Sequence, residues 1–258
     1  MDEVVTLLHG FTLAGASWDE LVAKMPARWK WLAPDLRGHG SAQTSPATMD
    51  DCAADLVTLW NHLGIERSHV VGYSMGGRLA LHVAVRLPER TRSLLTIGAH
   101  AGLDEDARAK RRLADEALAD RIERDGVESF VQRWESRPMF AGIRRRGPDF
   151  AARLHQLRLG NKAGGLAASL RGMGAGAMEP LWDELDAIDL PCTFVAGEDD
   201  VPFMHAAARL RKAVDRSRMR SVPESGHSVQ FERPDGTASI IADHLDWAAT
   251  ATSSSTTA

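Results

Sequence analysis

The sequence predicts an α/β fold in which a mostly parallel sheet is flanked by helices. Short apolar runs alternate with longer helical patterns in the first hundred residues and again towards the end of the chain. Strands that alternate with helices in this way form parallel sheets covered on both faces. The alternation stops between residues 100 and 187, where helical patterns follow one another without a convincing strand. We therefore expect a sheet-based core interrupted by a helical insertion.

Six apolar runs are the predicted strands, and five amphipathic stretches are the predicted helices of the core. The strands are expected at 4–8, 31–33, 70–73, 94–97, 193–196 and, more weakly, 219–222. The helices are expected at 18–25, 49–63, 75–87, 204–214 and 236–248. Ligands of such sheets bind beyond the carboxyl ends of the strands. The residues that follow each strand are therefore the candidates for a site.

The insertion differs from its host in charge as well as in pattern. Its helices are expected at 105–124, 127–134, 148–159 and 162–170. Residues 100–180 carry 15 Lys and Arg against 12 Asp and Glu, where the rest of the chain carries 16 against 23. A basic insertion is either a solvated helical face or a lid over a site for an anionic substrate. The expected division is a core of 1–99 and 188–249, a cap of 100–187 and a disordered Ser/Thr/Ala tail of 250–258.

Composition excludes several classes of protein. The chain has 258 residues, a net charge of −4 and 44% hydrophobic residues, which is the balance of a globular protein. This charge gives no reason to expect nucleic-acid binding. The two cysteines, Cys52 and Cys192, are far apart and predict buried thiols in a reduced cytoplasmic protein rather than a metal site. No signal peptide and no apolar run long enough for membrane insertion is found, and the oligomeric state stays open.

The segment around Ser74 carries the main chemical signal. Gly72-Tyr73-Ser74-Met75-Gly76 follows a predicted strand and opens a predicted helix, which fits the Gly-x-Ser-x-Gly nucleophile elbow. A sharp turn of this kind exposes the Ser hydroxyl, and the helix N-terminus offers backbone N–H groups to a developing anion. An ordinary helix-capping serine is the alternative interpretation.

A serine nucleophile needs a base and an acid that orients the base. In this architecture the chain order is Ser, acid, His. His227 follows the last predicted strand, and Asp200 closes the turn after the strand at 193–196. Asp200 is the preferred acid, Asp199 is the second choice, and Glu198 is less favoured.

The first strand ends in His9-Gly10-Phe11, at the same edge of the sheet. The backbone N–H of Phe11, together with that of Met75, is a candidate oxyanion hole. His9 and Tyr73 adjoin these turns and are expected to contact the substrate.

These segments, in this order and spacing, resemble the α/β-hydrolase superfamily over nearly the whole chain. The resemblance implies an α/β-hydrolase fold with a helical cap. One departure is that only a few residues precede the first strand, where members of the superfamily commonly have two more strands. From this departure we expect a shortened, all-parallel sheet.

Within that superfamily the cap resembles the 2-succinyl-6-hydroxy-2,4-cyclohexadiene-1-carboxylate synthases of menaquinone biosynthesis. The resemblance is carried by Arg78, four residues after the elbow serine, by the Trp-x-x-x-Pro-x-Phe segment that begins at Trp134, and by the Leu-Arg-x-x-Asn segment that contains Arg158. It implies that Arg78, Arg111 and Arg158 bind substrate carboxylates and that Trp134 packs in the pocket. Arg112 is the alternative to Arg111, because the register there is uncertain by one residue.

Arginine is suited to such a role, because its guanidinium group binds carboxylates through two hydrogen bonds and stays charged. The alternative is that these arginines point outward from a lid over a hydrophobic slot. The resemblance implies a carbon–oxygen lyase that eliminates pyruvate from a small anionic substrate, with no metal or organic cofactor. A serine carboxylesterase or carbon–carbon bond hydrolase is the alternative on the same triad, and a ligand receptor without activity is a more distant one.

Overall fold

A computed structural model describes residues 3–42 and 47–253, with backbone only for the last three residues. It contains one six-stranded parallel sheet, with the strand order β2-β1-β3-β4-β5-β6. The strands are β1 (Val4–Leu8), β2 (Lys30–Leu32), β3 (Ser68–Tyr73), β4 (Thr91–Ile97), β5 (Cys192–Gly197) and β6 (Ser217–Val222). All six predicted strands are present, and the expectation of a parallel sheet is confirmed.

Ten α-helices surround the sheet or build the insertion in the described part of the chain. They are α1 (Asp19–Val22), α2 (Met49–His62), α3 (Met75–Arg86), α4 (Glu105–Glu135), α5 (Ala141–Arg144), α6 (Pro148–Leu159), α7 (Ala163–Met173), α8 (Val201–Ala213), α9 (Val229–Glu232) and α10 (Pro234–Ser253). Short 3-10 helices lie at Gly15–Trp18, Pro88–Arg90, Pro138–Phe140 and Trp182–Ala187. No described helix is long and apolar enough to span a membrane.

Strand side chains point alternately to the two faces of the sheet and form an apolar layer on each face. Val70 points to the layer that holds α2, α3 and α8, while its neighbour Val71 points to the layer that holds α1 and α10. Side chains of successive strand residues project to opposite faces, so a strand buried on both sides is a continuous apolar run. This is why β3 and β4 were recognisable in the sequence.

The insertion between β4 and β5 is helical, as expected. The break predicted near residue 125 lies at Gly126, whose φ of 81° interrupts the helical backbone inside α4. Helix α4 packs against α7 around an apolar cluster that includes Ile122, Phe130 and Leu166. We call residues 100–187 the cap and the remainder the core, a division that stays a proposal.

The C-terminal boundary differs from the expected one. Helix α10 continues to Ser253, so residues 250–253 are helical rather than part of a disordered tail. The Ala- and Thr-containing end of the chain follows the amphipathic stretch without a proline or glycine that would stop the helix. Residues 254–258 of the predicted tail lie outside the described residues.

Candidate active site

The carboxyl ends of neighbouring strands meet at one edge of the sheet. The register pairs Leu8 with Gly72, Tyr73 with Ile97, and Ile97 with Val195. The residues that follow β1, β3, β4, β5 and β6 therefore converge, as they do in other open α/β sheets. This convergence brings together groups that are as far apart in the sequence as Phe11 and His227.

Ser74 occupies a strained turn between β3 and α3. Its backbone has φ 53° and ψ −110°, which is a rare conformation for a residue with a side chain. The turn needs small neighbours: a Cβ on Gly72 would meet the Gly76 carbonyl oxygen at 2.2 Å. A hydrogen bond of 2.8 Å from the Ser74 N–H to the Ile97 carbonyl oxygen ties the turn to β4. The Gly-x-Ser-x-Gly pattern thus has the strand–turn–helix setting of a nucleophile elbow.

Ser74, His227 and Asp200 form a continuous hydrogen-bonded chain. His227 Nε2 lies 3.0 Å from Ser74 Oγ, and His227 Nδ1 lies 2.7 Å from Asp200 Oδ2. This is the geometry in which an imidazole can accept the serine proton while a carboxylate holds the ring orientation. The exposed Asp199 and Glu198 do not contact His227, and Glu198 instead accepts a hydrogen bond from Ser221. The structure therefore places Asp200, the preferred acid, beside the histidine.

A second buried carboxylate fixes the loop that carries His227. Glu232 accepts hydrogen bonds from the Gly226 N–H at 2.9 Å and from the Ser228 N–H at 3.2 Å, the amides on either side of the histidine. Its side chain is nearly inaccessible and also contacts Arg145 of the cap at 3.3 Å. This contact was not foreseen from the sequence, because nothing local marks a glutamate five residues after a histidine as its support.

The backbone N–H groups of Phe11 and Met75 are the expected oxyanion donors. Neither amide donates a hydrogen bond to another group in the described residues. Phe11 and Met75 both line the cavity above Ser74. Two free amides at a helix N-terminus and a neighbouring loop can stabilise an oxyanion.

The structure does not place His9 at the substrate cavity, contrary to the expectation. Its ring is fully buried, Nδ1 donates to the Gly10 carbonyl oxygen at 2.9 Å, and Nε2 accepts from the Leu36 N–H at 3.0 Å. Burial, the largest effect, lowers the pKa of His9 to about 4. Because both ring nitrogens are bonded to backbone, His9 supports the loop before Phe11 and has no atom left for a ligand.

A cavity of about 600 Å³ lies between the sheet edge and the cap. Ser74 and His227 lie at its floor, and helices α4 and α7 supply much of its wall. Four arginines line it, namely Arg78, Arg111, Arg121 and Arg137, against a single carboxylate, Asp115. A wall with this excess of positive charge favours anionic ligands.

Arg78 is buried and lacks a carboxylate partner. Its guanidinium group donates to the Met173 carbonyl oxygen at 2.8 Å, and no described carboxylate lies within ion-pair distance. Burial, followed by repulsion from Arg111, lowers the pKa of Arg78 to about 10. A buried cation is costly unless it is paired, so this site is electrostatically incomplete without an anion.

The structure distinguishes Arg111 from Arg112. Arg111 lines the cavity and donates to Asp115 at 2.7 Å. Arg112 lies on another face of α4, where its Nε donates to the Gly176 carbonyl oxygen at 3.3 Å. Adjacent helical residues diverge by about 100°, so only one of the two can face Ser74.

Arg158 lies in a smaller side cavity rather than in the main one. This space of about 30 Å³ is lined by Tyr73, Ser74, Trp134, Arg158 and His227 among others. Arg158 Nη1 donates to Glu135 at 2.7 Å, while its buried Nε has no hydrogen-bond partner. The Tyr73 hydroxyl is bonded to Ser228 at 2.9 Å, which leaves the Tyr73 ring as a wall against His227.

Trp134 closes the side cavity from the cap. Its ring lies edge-on to Phe11 with 5.5 Å between centroids, and the Arg137 guanidinium lies 4.3 Å from the ring centroid. Its indole N–H is buried without a hydrogen-bond partner in the described residues. Unpaired buried donors are rare in folded proteins, and Trp134 and Arg158 each keep one such N–H while lining a space that also adjoins Ser74.

Arg121, Arg137 and His100 were missed by sequence reasoning. Arg121 could have been found, because positions 111, 114, 118 and 121 follow the spacing of one helical face and all line the cavity. Arg137 lies inside the Trp-x-x-x-Pro-x-Phe segment, yet the sequence gives no sign of which way its side chain points. His100 follows β4, and the expectations attached no role to it.

Asn161 connects the cap to the loop that carries Phe11. Its amide donates to the Thr12 carbonyl oxygen at 2.9 Å and accepts from the Gly40 N–H at 3.0 Å. It also donates to the Arg158 carbonyl oxygen at 3.0 Å. Thr12 has a φ of 72°, so this amide holds a strained loop and the end of the Arg158 helix in one arrangement.

Within the described residues, no group of three or more His, Cys, Asp and Glu side chains is arranged to hold a metal ion. Cys52 and Cys192 are buried free thiols, and burial raises the pKa of Cys52 to about 12. Neither side chain lines the cavity above Ser74, and both belong to the apolar core.

Comparison with known proteins places this site in a family. Residues 3–234 match the family model described as the alpha/beta hydrolase fold. The chain belongs to the α/β-hydrolase family. The loop that carries Phe11, the turn at Ser74, the turn at Asp200 and the loop that carries His227 all lie within the matched residues.

Several relatives share a more specific description. A candidate 2-succinyl-6-hydroxy-2,4-cyclohexadiene-1-carboxylate synthase of Bacillus subtilis (strain 168) is 35% identical, over 94% of this chain and 90% of that protein. The synthase of that name from Enterobacter sp. (strain 638) is 31% identical, over 93% and 91%.

Two solved structures extend the likeness to the whole fold. MenH from S. aureus superposes with a TM-score of 0.91 at 28% identity, covering 96% of this chain and 95% of that chain. A thermophilic esterase from Thermogutta terrifontis gives 0.85 at 25% identity, covering 95% and 90%. The fold is therefore shared by proteins that differ in activity.

Proposed function

We propose that this protein is a carbon–oxygen lyase of menaquinone biosynthesis. It eliminates pyruvate from 2-succinyl-5-enolpyruvyl-6-hydroxy-3-cyclohexene-1-carboxylate to give 2-succinyl-6-hydroxy-2,4-cyclohexadiene-1-carboxylate. The observation that carries the proposal is the arginine-lined cavity over a serine–histidine–aspartate chain, in which Arg78 is buried without a carboxylate partner. The similarity to named synthases over more than nine-tenths of the chain supports it.

The elimination begins with removal of a proton from a ring carbon. His227 accepts the Ser74 proton across the 3.0 Å contact, and the serine oxygen acts as the base towards the ring C–H. Asp200 orients the imidazole and stabilises it once it is charged. The serine does not attack a carbonyl in this scheme, so no covalent intermediate forms.

Negative charge develops on the ring carbon as the proton leaves, and it is delocalised onto the adjacent succinyl carbonyl oxygen. The N–H groups of Phe11 and Met75 would hold that oxygen. Because their positions are set by the first strand and by the elbow, they need little reorganisation as charge develops. The ring C–O bond then breaks, and the enolpyruvyl group departs.

The substrate carries three carboxylates, on the ring, on the succinyl chain and on the enolpyruvyl group. The cavity offers Arg78 and Arg111 on one side of Ser74, and the side cavity offers the unpartnered Nε of Arg158 on the other. Guanidinium groups bind carboxylates strongly in such partly buried positions. A neutral ester would leave the buried Arg78 guanidinium without an anionic partner, at a cost in free energy.

The test is the rate of pyruvate release from the enolpyruvyl substrate, measured against its spontaneous decay. We expect rapid release by the protein and loss of at least about 1000-fold in kcat with Ser74→Ala, because the base is removed. A matched control is Ser41→Ala, a serine outside the cavity, which should leave the rate unchanged.

A serine carboxylesterase or carbon–carbon bond hydrolase remains the competing proposal. The observation in its favour is the similarity to the thermophilic esterase, with a TM-score of 0.85. Protein that releases no pyruvate, yet hydrolyses short acyl esters in a Ser74-dependent way, would replace the lyase with this hydrolase.

A further inference from the structure

His100 lies at the active edge of the sheet without an assigned role. It follows β4 after Gly98, whose φ of 59° turns the chain towards the cavity. Its half-buried ring lines the cavity that also contains Ser74 and His227. A histidine in this position can face the same ligand as the serine.

The hydrogen bond of His100 identifies its tautomer. The Gly102 N–H donates to His100 Nδ1 across 3.0 Å, so Nδ1 carries a lone pair and no proton. The proton of the imidazole is therefore on Nε2. Nε2 has no hydrogen-bond partner in the parts of the chain that the structure describes, and as part of a cavity-lining ring it is free to donate to a ligand.

The surroundings keep this ring neutral. Burial, followed by repulsion from Arg78 and Arg111, lowers the pKa of His100 to about 3. Phe203 packs between the two histidines, with ring centroids 6.1 Å from His100 and 4.5 Å from His227. The turn at Gly102 is itself fixed, since its carbonyl oxygen accepts from the Trp182 indole at 3.0 Å.

A neutral hydrogen-bond donor such as the His100 imidazole suits a different group of the substrate from the charged arginines around it. Guanidinium groups bind carboxylates that are charged before and after the reaction. An imidazole N–H is better suited to an oxygen that gains charge only during the reaction, and such an interaction raises kcat rather than ground-state affinity. In the proposed substrate two oxygens gain charge in this way. The succinyl carbonyl oxygen is assigned to the N–H groups of Phe11 and Met75, and the ether oxygen of the enolpyruvyl group has no other assigned donor.

We propose that His100 is a further catalytic residue, whose Nε2–H donates a hydrogen bond to the ether oxygen as the enolpyruvyl group departs. The inference rests on the proposed function. The ring C–H proton passes through Ser74 to His227, and the electron pair of the breaking C–O bond goes to the departing oxygen. The released enolpyruvate regains one proton at its methylene carbon, to become pyruvate. His100 keeps its own proton throughout.

The test compares two substitutions at position 100. His100→Phe keeps a planar ring but removes the donor, and we expect kcat for pyruvate release to fall about 100-fold, as on loss of one oxyanion donor, with KM changed less than about threefold. His100→Gln retains both an N–H donor and an acceptor for the Gly102 N–H, and we expect it to recover at least about a tenth of the wild-type kcat.

A second measurement separates catalysis from folding. The rate at which an organophosphonate labels Ser74 reports whether serine, histidine and aspartate are still aligned. His100→Phe should be labelled at nearly the wild-type rate if His100 acts on the leaving group. Labelling that falls in parallel with kcat would overturn the inference and make His100 a structural residue.

The outcomes also separate this inference from the proposed function. Wild-type protein that releases no pyruvate would overturn the proposed function and the role of His100 with it. Active wild-type protein, together with a fully active His100→Phe variant, would overturn only the role of His100. A His100→Gln variant as impaired as His100→Phe would also contradict it.

Discussion

The core and the cap contribute different kinds of group to the same cavity. The core supplies Ser74, His227 and Asp200, each on a turn directly after a strand, with distances of 2.7–3.0 Å between them. The cap supplies guanidinium groups from helices, such as Arg111 and Arg158, that are held by single carboxylates. The candidate triad is thus positioned by turns of the backbone, whereas these arginines of the cap are positioned by ion pairs between side chains.

Polar contacts join the core to the cap on either side of the candidate triad. Glu232 of the core bonds the amides beside His227 and also contacts Arg145 of the cap. Asn161 of the cap donates a hydrogen bond to the Thr12 carbonyl oxygen, next to Phe11. Apolar packing joins the two regions as well, because Phe140, Phe150 and Met173 of the cap belong to the apolar layers on the sheet.

The largest expected effect concerns the acid of the core. Asp200→Asn should lower kcat by about 10⁴-fold, because an amide in place of the carboxylate favours the wrong tautomer of His227. Asp199→Asn changes the neighbouring exposed residue and should alter kcat less than twofold. Steady-state kinetics of pyruvate release measures both. Comparable losses in the two variants would show that the turn after β5 acts through its overall charge.

A smaller effect is expected for the cap. Arg111→Ala should lower kcat/KM by about 10- to 100-fold, the range for a lost hydrogen bond to a charged group. Arg112→Ala removes the neighbouring arginine, which lies outside the cavity, and should change kcat/KM less than twofold. The effect of Arg111→Ala should appear with the anionic substrate and be absent with a neutral acyl ester. Equal losses with both substrates would argue against carboxylate binding by Arg111.

The smallest effect concerns stability of the core in acid. His69 and His244 both bond the Ser93 hydroxyl, at 2.7 and 2.8 Å, inside the sheet layers. Burial is the main cause that lowers the pKa of each to about 3. Below about pH 6.5 the unfolded chain binds these protons and the folded chain does not, so stability is lost as the pH falls towards 3. Each histidine contributes about 1.4 kcal/mol per pH unit.

Urea unfolding between pH 7 and pH 4.5 measures that slope. His244→Gln should reduce it by about the contribution of one histidine. His205→Gln, at an exposed position of α8, is the matched control. If both variants unfold with the wild-type pH dependence, His244 does not contribute to the acid instability.

Much of the fold and part of the site could be predicted, for reasons visible in particular residues. Strand β1 was located to the residue because Val4–Leu8 is an apolar run bounded by polar residues and a glycine turn. The break in α4 was foreseen because glycine tolerates the positive φ found at position 126. Prediction failed for His9, because an imidazole beside a glycine gives no sign of whether its nitrogens face backbone or ligand.

The sequence by itself determined the order of the elements and the identity of Ser74, Asp200 and His227 as candidates. Apolar periodicity and turn residues are local properties, and the carboxyl ends of parallel strands must share one edge. The direction of each long side chain was decided only by the tertiary structure, since it depends on packing between cap and core. That packing placed Arg111 in the wall of the cavity and Arg112 outside it, buried Arg78 without a carboxylate partner, and placed the ring of His100 in the same wall.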